Sequence, residues 1–227
     1  MTQSLNTKET TAMLVFAKAP IAGHAKTRLI PALGPEGAAR LQAALTRRSL
    51  RTACAAFPSA ASPGAVSLCC TPNACDPWFQ GLAAEFPIAL RDQSGANLGA
   101  RMDDALTKAL EEYKRAILIG TDCPVLTPDM LRAVDTTLEE GAEAAIVPAE
   151  DGGYVLVALK RPFPALFADI EWGTEQVLSA TLRRIGSDGR PARIMEPIWD
   201  IDDPCDLERL KQQHPDIYES LSQSESA

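Results

Sequence analysis

Ala116-Ile-Leu-Ile-Gly-Thr-Asp-Cys-Pro124 is the stretch that decides the fold. Four apolar residues run without a polar break and stop at Gly120. A short apolar run bounded by turn residues reads as a strand buried on both faces. A lone carboxylate, Asp122, follows on a loop stiffened by Pro124. In open α/β sheets, ligands bind just beyond the carboxyl ends of the strands. An acid at that place is positioned to hold a metal ion.

Working outward, apolar runs alternate with helical patterns. Strands are expected at Met13–Lys18, Val66–Cys70, Ile88–Leu90, Ala144–Val147, Tyr154–Leu159 and Ala192–Met195. Between them, helices are expected from Pro35 to Ala56, a short one from Asp76-Pro77, Ala100–Glu112, and one capped by Thr127 before Pro128. Later helices are expected from Thr174-Glu175 to Ile185 and from Pro204 to Gln213. On the helix from Pro35 to Ala56, Arg47, Arg48 and Arg51 interrupt the face opposite Leu41, Leu45 and Leu50 and read as solvated. This alternation predicts an α/β fold of three layers, with a mostly parallel sheet between helices. The runs at 144–147 and 154–159 are joined only by a turn, which predicts an antiparallel or out-of-sheet excursion and so a mixed sheet. Residues 1–12 read as a flexible N-terminus, 13–213 as a single domain and 214–227 as a polar tail.

Composition narrows the function. The chain has 227 residues, 46% of them hydrophobic, and a net charge of −8. Nucleic acid is therefore not an expected partner, because its backbone needs a basic face. A small anionic ligand remains open if basic residues cluster or a metal supplies charge. Six cysteines occur without a C-x-x-C pair, and no apolar run approaches the ~18 residues of a membrane span. With no signal peptide visible in the first residues, the chain reads as a cytoplasmic protein with free thiols. The oligomeric state has no sequence signal.

Four constellations carry chemistry. The loop Lys18-Ala-Pro-Ile-Ala-Gly-His-Ala-Lys-Thr-Arg28 leaves the first strand after Ala17 and carries Lys18, Lys26 and Arg28, with Gly23 and Thr27 between. Small residues admit a close ligand, and backbone N–H groups with cations suit phosphate. The loop matches neither the Walker pattern nor G-x-G-x-x-G. Its alternative is an ordinary solvated loop. Asp122 is spare because Thr127 takes the next helix cap; a turn aspartate is the alternative. In Asp200-Ile-Asp202-Asp203-Pro204, Asp203 serves as the cap, and Asp200 and Asp202 share one side of an extended segment. Repelling acids invite a shared cation; two solvated acids are the alternative. Glu150-Asp-Gly-Gly-Tyr154 places Asp151 in a tight turn, as an acceptor-side base or simply as hairpin chemistry. Arg101, two residues after Gly99, falls in a helix first turn that suits an anion. Trp172 precedes a helix, as a stacking ring or a core residue. Nucleophilic catalysis has little support: there is no G-x-S-x-G, and the acid beside Cys123 should raise its pKa.

Taken in order, FAKAPIAGHAKTRL, LGARM, LIGTDCPVLTPDML, PAEDGGYVLVAL, WGTEQVL and WDIDDPCDL closely resemble a bacterial glycosyltransferase family of the nucleotide-diphospho-sugar transferase superfamily. Some of its members belong to arsenosugar biosynthesis neighbourhoods. The resemblance spans roughly Met13 to Leu210 and implies a GT-A-like fold. The AKTRL segment also resembles 2-phospholactate guanylyltransferase and, more distantly, molybdenum cofactor guanylyltransferases. The resemblance implies a nucleotide or nucleotide-sugar donor, a small-molecule acceptor and a Mg²⁺ or Mn²⁺ cofactor. It implies that Ala17, Lys18, Gly23, Lys26, Thr27 and Arg28 bind the nucleotide, with Gln93, Gly99 and Arg101 beside them. It implies Asp122, Asp200 and Asp202 as metal ligands, and Asp151 with Lys26 in the chemistry. GTDCP has one acid, not the D-x-D pair usual in GT-A glycosyltransferases. Nucleotidyl transfer from a triphosphate, with pyrophosphate release, is therefore the alternative to glycosyl transfer. A nucleotide-binding module without turnover is the third reading.

Overall fold

The computed structural model describes residues 9–58 and 65–221. Seven strands form one sheet: β1 (Glu9–Lys18), β2 (Val66–Thr71), β3 (Ala89–Asp92), β4 (Tyr113–Ile119), β5 (Ala144–Pro148), β6 (Tyr154–Leu159) and β7 (Ala192–Ile194). Their order is β3-β2-β1-β4-β6-β5-β7. Pairings are parallel except those of β6, which runs antiparallel to both β4 and β5. The expected excursion is thus a hairpin whose second strand enters the sheet between β4 and β5. It reverses direction because its turn is too short for a crossover helix.

Helices cover both faces. On one side lie α1 (Ile30–Ala56), α2 (Pro77–Glu85) and α4 (Pro128–Glu139); on the other lie α3 (Leu98–Glu112) and α5 (Val177–Asp188). The alternation along the strands explains this. Met13 and Val15 of β1, with Ile117 and Ile119 of β4, pack against Leu50, Phe79 and Leu131. Leu14 and Phe16, with Ala116 and Leu118, pack against Met102, Leu106 and Ile185. The apolar run at 116–119 is therefore buried on both faces, as its lack of polar breaks predicts.

A third apolar cluster lies at the edge of this sandwich. It joins Leu29, Leu41 and Leu45 to Trp199 and Ile201, to Leu207 and Leu210 of α6 (Pro204–Gln213), and to Ile217 of α7 (Pro215–Ser220). Two expected boundaries shift as a result. The polar tail expected from 214 begins instead with α7, because Ile217 and Leu221 bury their side chains against this cluster. Of the N-terminal segment expected as flexible to residue 12, residues 1–8 lie outside the described residues, and from Glu9 the chain is strand, paired with Tyr113 of β4.

Helix starts follow the capping residues. Asp76, Asn97 and Thr127 each accept a hydrogen bond from a first-turn N–H. Asp203 and Asp206 form a capping box at α6. Two expectations differ. A short helical segment, Thr27–Leu33, precedes Gly34, whose φ of 69° breaks α1 before Pro35. At the other end, α5 begins three residues later than Thr174, whose hydroxyl donates to the Glu171 carbonyl.

Candidate functional site

The carboxyl ends of β1 and β4 open into a cleft of about 1010 Å³. Its floor includes Ala17 and Leu118; its walls come from the 18–28 loop, α3, the β5–β6 hairpin, the segment before α5 and the segment before α6. Ala17, Lys18, Lys26, Thr27, Arg28, Gln93, Arg101, Asp122, Asp151, Asp200 and Asp202 all line it. Residues up to 185 positions apart in the chain thus meet at one end of the sheet.

Lys26 sits at the centre. Its side chain is only 5% exposed, and its ammonium lies 2.8 Å from Asp122 Oδ1. It also donates a hydrogen bond to the Ile201 carbonyl. Leu29 and Ile201 share the third apolar cluster, and that burial draws the loop and the late acidic segment together. A backbone bond from Ile201 N to Asp122 O (2.9 Å) zips this segment beside the β4 loop. Ile201 points into the cluster, so its neighbours Asp200 and Asp202 turn to the cleft. Arg28 pairs with Asp202, a bond between largely exposed side chains.

Lys26 adopts φ 46° and ψ 47°, a left-handed conformation that costs a non-glycine residue about 1–2 kcal/mol. It persists because the ion pair and the burial of Leu29 hold the loop on both sides of it. Lys18 folds over the same loop and donates to the His24 carbonyl (2.7 Å).

The carboxylates repel one another. Burial and the nearby Asp151, Asp122 and Asp202 push Asp200 up to about 7, with Lys26 opposing. Asp202 is raised by burial, against the pull of Lys26 and Arg28. Burial pushes the Cys123 thiol up to about 12, more than its acidic neighbours do. A thiol so raised is a poor nucleophile at neutral pH.

The donor chemistry suits a hard cation. Lys26 forms an ion pair with Asp122 Oδ1 without the alignment of a hydrogen bond, leaving that buried oxygen without a hydrogen-bond donor. Among the described residues, no three Asp, Glu, His or Cys side chains converge as a ready-made metal centre. Mg²⁺ takes one or two carboxylates and completes its shell with water and phosphate oxygens, so such a centre is not required.

Other expected residues have plainer surroundings. Gln93 donates both amide hydrogens inward, to the Ala17 carbonyl (3.3 Å) and the Cys69 carbonyl (2.8 Å). Arg101 lies in the first turn of α3, where its Nε reaches the Asn97 carbonyl at 3.4 Å. Gly23 and Gly99 do not line the cleft. Gly23 turns the loop at φ 79° in open space, whereas a Cβ on Gly99 would sit 2.7 Å from the Trp172 indole. Trp172 packs edge-on against Tyr154 and also lines the cleft. Asp151 Oδ1 accepts from Gly153 N (2.8 Å), closing the hairpin turn. Gly152 O accepts from Leu178 N (2.8 Å), which docks that turn on the start of α5.

The structure also supplies support residues with no local sequence signal. Gln42 of α1 is buried beneath the cleft and donates to Thr121 Oγ1 (3.0 Å), beside Asp122. Thr46 Oγ1 in turn donates to the Gln42 carbonyl (2.8 Å). Arg48, expected in solvent, donates to the Pro124 carbonyl, and Arg47 pairs with Glu85. The loop after β4 turns back over α1, so its carbonyl reaches the guanidinium. A polar break in an amphipathic helix signals such a role only once the neighbouring loop is placed.

No helix among the described residues is long and apolar enough to cross a membrane. Among curated proteins, none matches the chain. Among solved structures, a candidate nucleotide-diphospho-sugar transferase from Desulfovibrio desulfuricans G20 superposes over 94% of this chain and 94% of its own, with 27% identity and a TM-score of 0.80. A 4-diphosphocytidyl-2C-methyl-D-erythritol synthase from Anaerococcus prevotii DSM 20548 superposes over 87% and 94%, with 10% identity and a TM-score of 0.56. A CMP:2-keto-3-deoxy-manno-octonic acid synthetase, solved with CTP, gives 92% and 99%, 12% identity and a TM-score of 0.56. The last two likenesses are of fold alone. The mixed α/β sheet is thus that of the nucleotide-diphospho-sugar transferase fold. The model of the family described as "Uncharacterized protein conserved in bacteria (DUF2064)" matches residues 56–174, more than half of the chain, and the chain belongs to that family.

Proposed function

We propose that the chain is a transferase for a nucleotide-activated donor, moving a glycosyl group from a nucleotide-diphospho-sugar to a small-molecule acceptor. One observation carries the reading: a basic loop and a set of carboxylates face one another across a single cleft at the carboxyl ends of the central strands. Likeness to the Desulfovibrio protein, over nearly all of both chains, supports it.

Lys26 and Arg28 each hold an aspartate in the ligand-free chain. A diphosphate entering beside them competes with Asp122 and Asp202 for the two cations. Lys26 then stabilises the charge that develops on the leaving diphosphate, which is mainly electrostatic work. Arg28 grips phosphate oxygens in a two-pronged geometry. Lys18, Thr27 and Arg101 line the same side. Gln93, held by two backbone carbonyls, has only its carbonyl oxygen left to accept from a base. Asp122, with Asp200 or Asp202, would hold Mg²⁺ or Mn²⁺, which supplies positive charge to the diphosphate. Asp151 has one carboxylate oxygen in its own turn and the other for an acceptor hydroxyl, whose proton it takes.

A second reading, nucleotidyl transfer of the guanylyltransferase type, is favoured by the single acid in GTDCP. The same cations would then hold a triphosphate.

Thermal unfolding with nucleotides and sugar nucleotides, with and without Mg²⁺ or Mn²⁺, tests the site. A ligand at ~100 times its Kd adds about 2.7 kcal/mol of stability. Asp122→Asn is expected to keep the fold and lose the metal-dependent part of that shift. An unchanged metal response removes Asp122 from the site, and no response to any nucleotide sinks both readings. Product analysis separates them: nucleoside diphosphate from a sugar nucleotide supports the first, pyrophosphate from a triphosphate the second.

A further inference from the structure

Three polar side chains are buried together beneath the cleft: Gln42 and Thr46 of α1, and Thr121 just after β4. Gln42 and Thr121 are only 5% and 4% exposed, and both line the cleft. Leu41 and Leu45 on the same stretch of α1 belong to the third apolar cluster, so a polar residue between them is out of pattern. Polar groups so placed cost free energy unless each finds a partner.

Thr46 decides how the Gln42 amide is oriented. Its hydroxyl spends its single hydrogen on the Gln42 carbonyl (2.8 Å), so its oxygen can only accept from the Gln42 side chain (3.2 Å). Nitrogen, not oxygen, must therefore face Thr46. The other hydrogen of Nε2 goes to Thr121 Oγ1 (3.0 Å), and both amide hydrogens are then spent. Two capacities are left over. Among the described residues Gln42 Oε1 accepts nothing, and it is not sealed from solvent. The Thr121 hydroxyl accepts from Gln42, and its own hydrogen has no acceptor among the described residues. A lone acceptor and a lone donor thus sit side by side at the two ends of one hydrogen bond.

The chemistry of that pair selects its ligand. Phosphate and carboxylate oxygens only accept, so Gln42 Oε1 repels them. An ammonium group only donates and leaves the Thr121 hydrogen unpaired. A hydroxyl donates and accepts at once, and it satisfies both. Position selects which hydroxyl. The sheet runs in the order β3-β2-β1-β4-β6, with Gln93 after β3, Ala17 at the end of β1, Thr121 after β4 and Asp151 on the hairpin of β6. Thr121 therefore lies between the nucleotide end of the cleft and its acceptor end, where a group in transit belongs.

We infer that Gln42 and Thr121 bind one hydroxyl of the sugar being transferred, which donates to Gln42 Oε1 and accepts from Thr121. The inference deepens the glycosyl-transfer reading and rests on it. A donor sugar lacking that hydroxyl leaves two buried groups unpaired, the situation in which an enzyme rejects an analogue most strongly. Because Thr46 fixes the amide before any ligand arrives, the subsite needs no reorganisation.

Isothermal titration calorimetry on the full chain, with Mg²⁺ present, tests this. The titrants are UDP-, GDP-, ADP-, CDP- and dTDP-glucose, each beside its own nucleoside diphosphate. In Gln42→Met, affinity for the glucose nucleotide that binds the native chain is expected to fall about tenfold, while affinity for its diphosphate stays within about twofold. Thr121→Val is expected to do the same, and Thr121→Ser, which keeps the hydroxyl, to bind as the native chain does. Should Gln42→Met fail to fold, the two Thr121 variants carry the test. Equal loss for glucose nucleotide and diphosphate makes these residues mere supports of the Asp122 loop and overturns the inference, as does no loss. Native binding of diphosphates but of no glucose nucleotide overturns it too, and leaves a nucleotide site standing. Binding of neither counts against the transferase reading itself, and the inference falls with it.

Discussion

Replacing Lys26 with methionine removes the charge at the centre of the cleft and keeps most of the apolar stem. Native Lys26 is 5% exposed, lies 2.8 Å from Asp122 Oδ1 and donates to the Ile201 carbonyl. Stripping one partner from a fully buried pair costs about 3–5 kcal/mol. Here the Asp122 side chain is 43% exposed, so water recovers part of that loss. The lost bond to a buried carbonyl adds about 1 kcal/mol. Together the expected cost is about 2 kcal/mol, which for a chain of this size lowers Tm by roughly 4–8 °C. Urea unfolding at pH 7 measures it. The carboxylates then lack their main buried counter-charge, so added Mg²⁺ or Mn²⁺ should stabilise Lys26→Met more than the native chain. A double-mutant cycle with Asp122→Asn isolates the pair, with an expected coupling of about 1 kcal/mol. A Lys26→Met chain within about 0.3 kcal/mol of native, with coupling near zero, would refute the claim that this pair organises the cleft.

Other perturbations probe separate parts of the architecture. Gly152→Ala places a Cβ 2.3 Å from the Glu175 carbonyl at a φ of 91°, and should cost about 2 kcal/mol or more with acceptor-side activity falling further. A stability change under about 0.5 kcal/mol would show that the hairpin and the α5 segment move freely of one another. Ellman's reagent should label the exposed Cys75 and Cys205 in the native chain. Cys69, Cys70 and Cys123, each pushed up to about 12 chiefly by burial, should react only on unfolding. Because Cys205 lines the cleft, bound nucleotide should slow its labelling; equal rates would separate it from the ligand site. Burial and the nearby Arg48 lower the His214 pKa, with Asp216 opposing. Below about pH 6.5 the unfolded chain therefore binds the proton first, and stability falls as pH falls through that range. His214→Gln should flatten that part of a pH–stability profile measured by urea unfolding, whereas an unchanged slope assigns it to other groups.

Much of the frame was legible because its causes are local. Ala116–Ile119 reads as a doubly buried strand from four side chains that no solvent face tolerates, and it packs into two cores. Thr127 before Pro128 reads as a cap, and its hydroxyl accepts from Met130 N. The short link between β5 and β6 rules out a parallel pair, and β6 is antiparallel. The spare status of Asp122 follows from the Thr127 cap alone.

What tertiary structure alone decided is who meets whom. Lys26 and Asp122 are 96 positions apart, and Arg28 and Asp202 are 174 apart. No spacing rule reaches across such distances. The sheet order sets β1 beside β4, and burial of Leu29 with Ile201 then presses the loop and the late acids onto that junction. The same packing turned Arg48 from a solvent charge into a brace for Pro124, and gave Gly99 to the Trp172 indole rather than to the cleft. Chain-local chemistry determined the strands, the caps and the kinds of residue at the cleft. The pairing of its charges, and the meeting of its basic loop with the carboxylates, came from apolar burial between segments that the sequence keeps far apart.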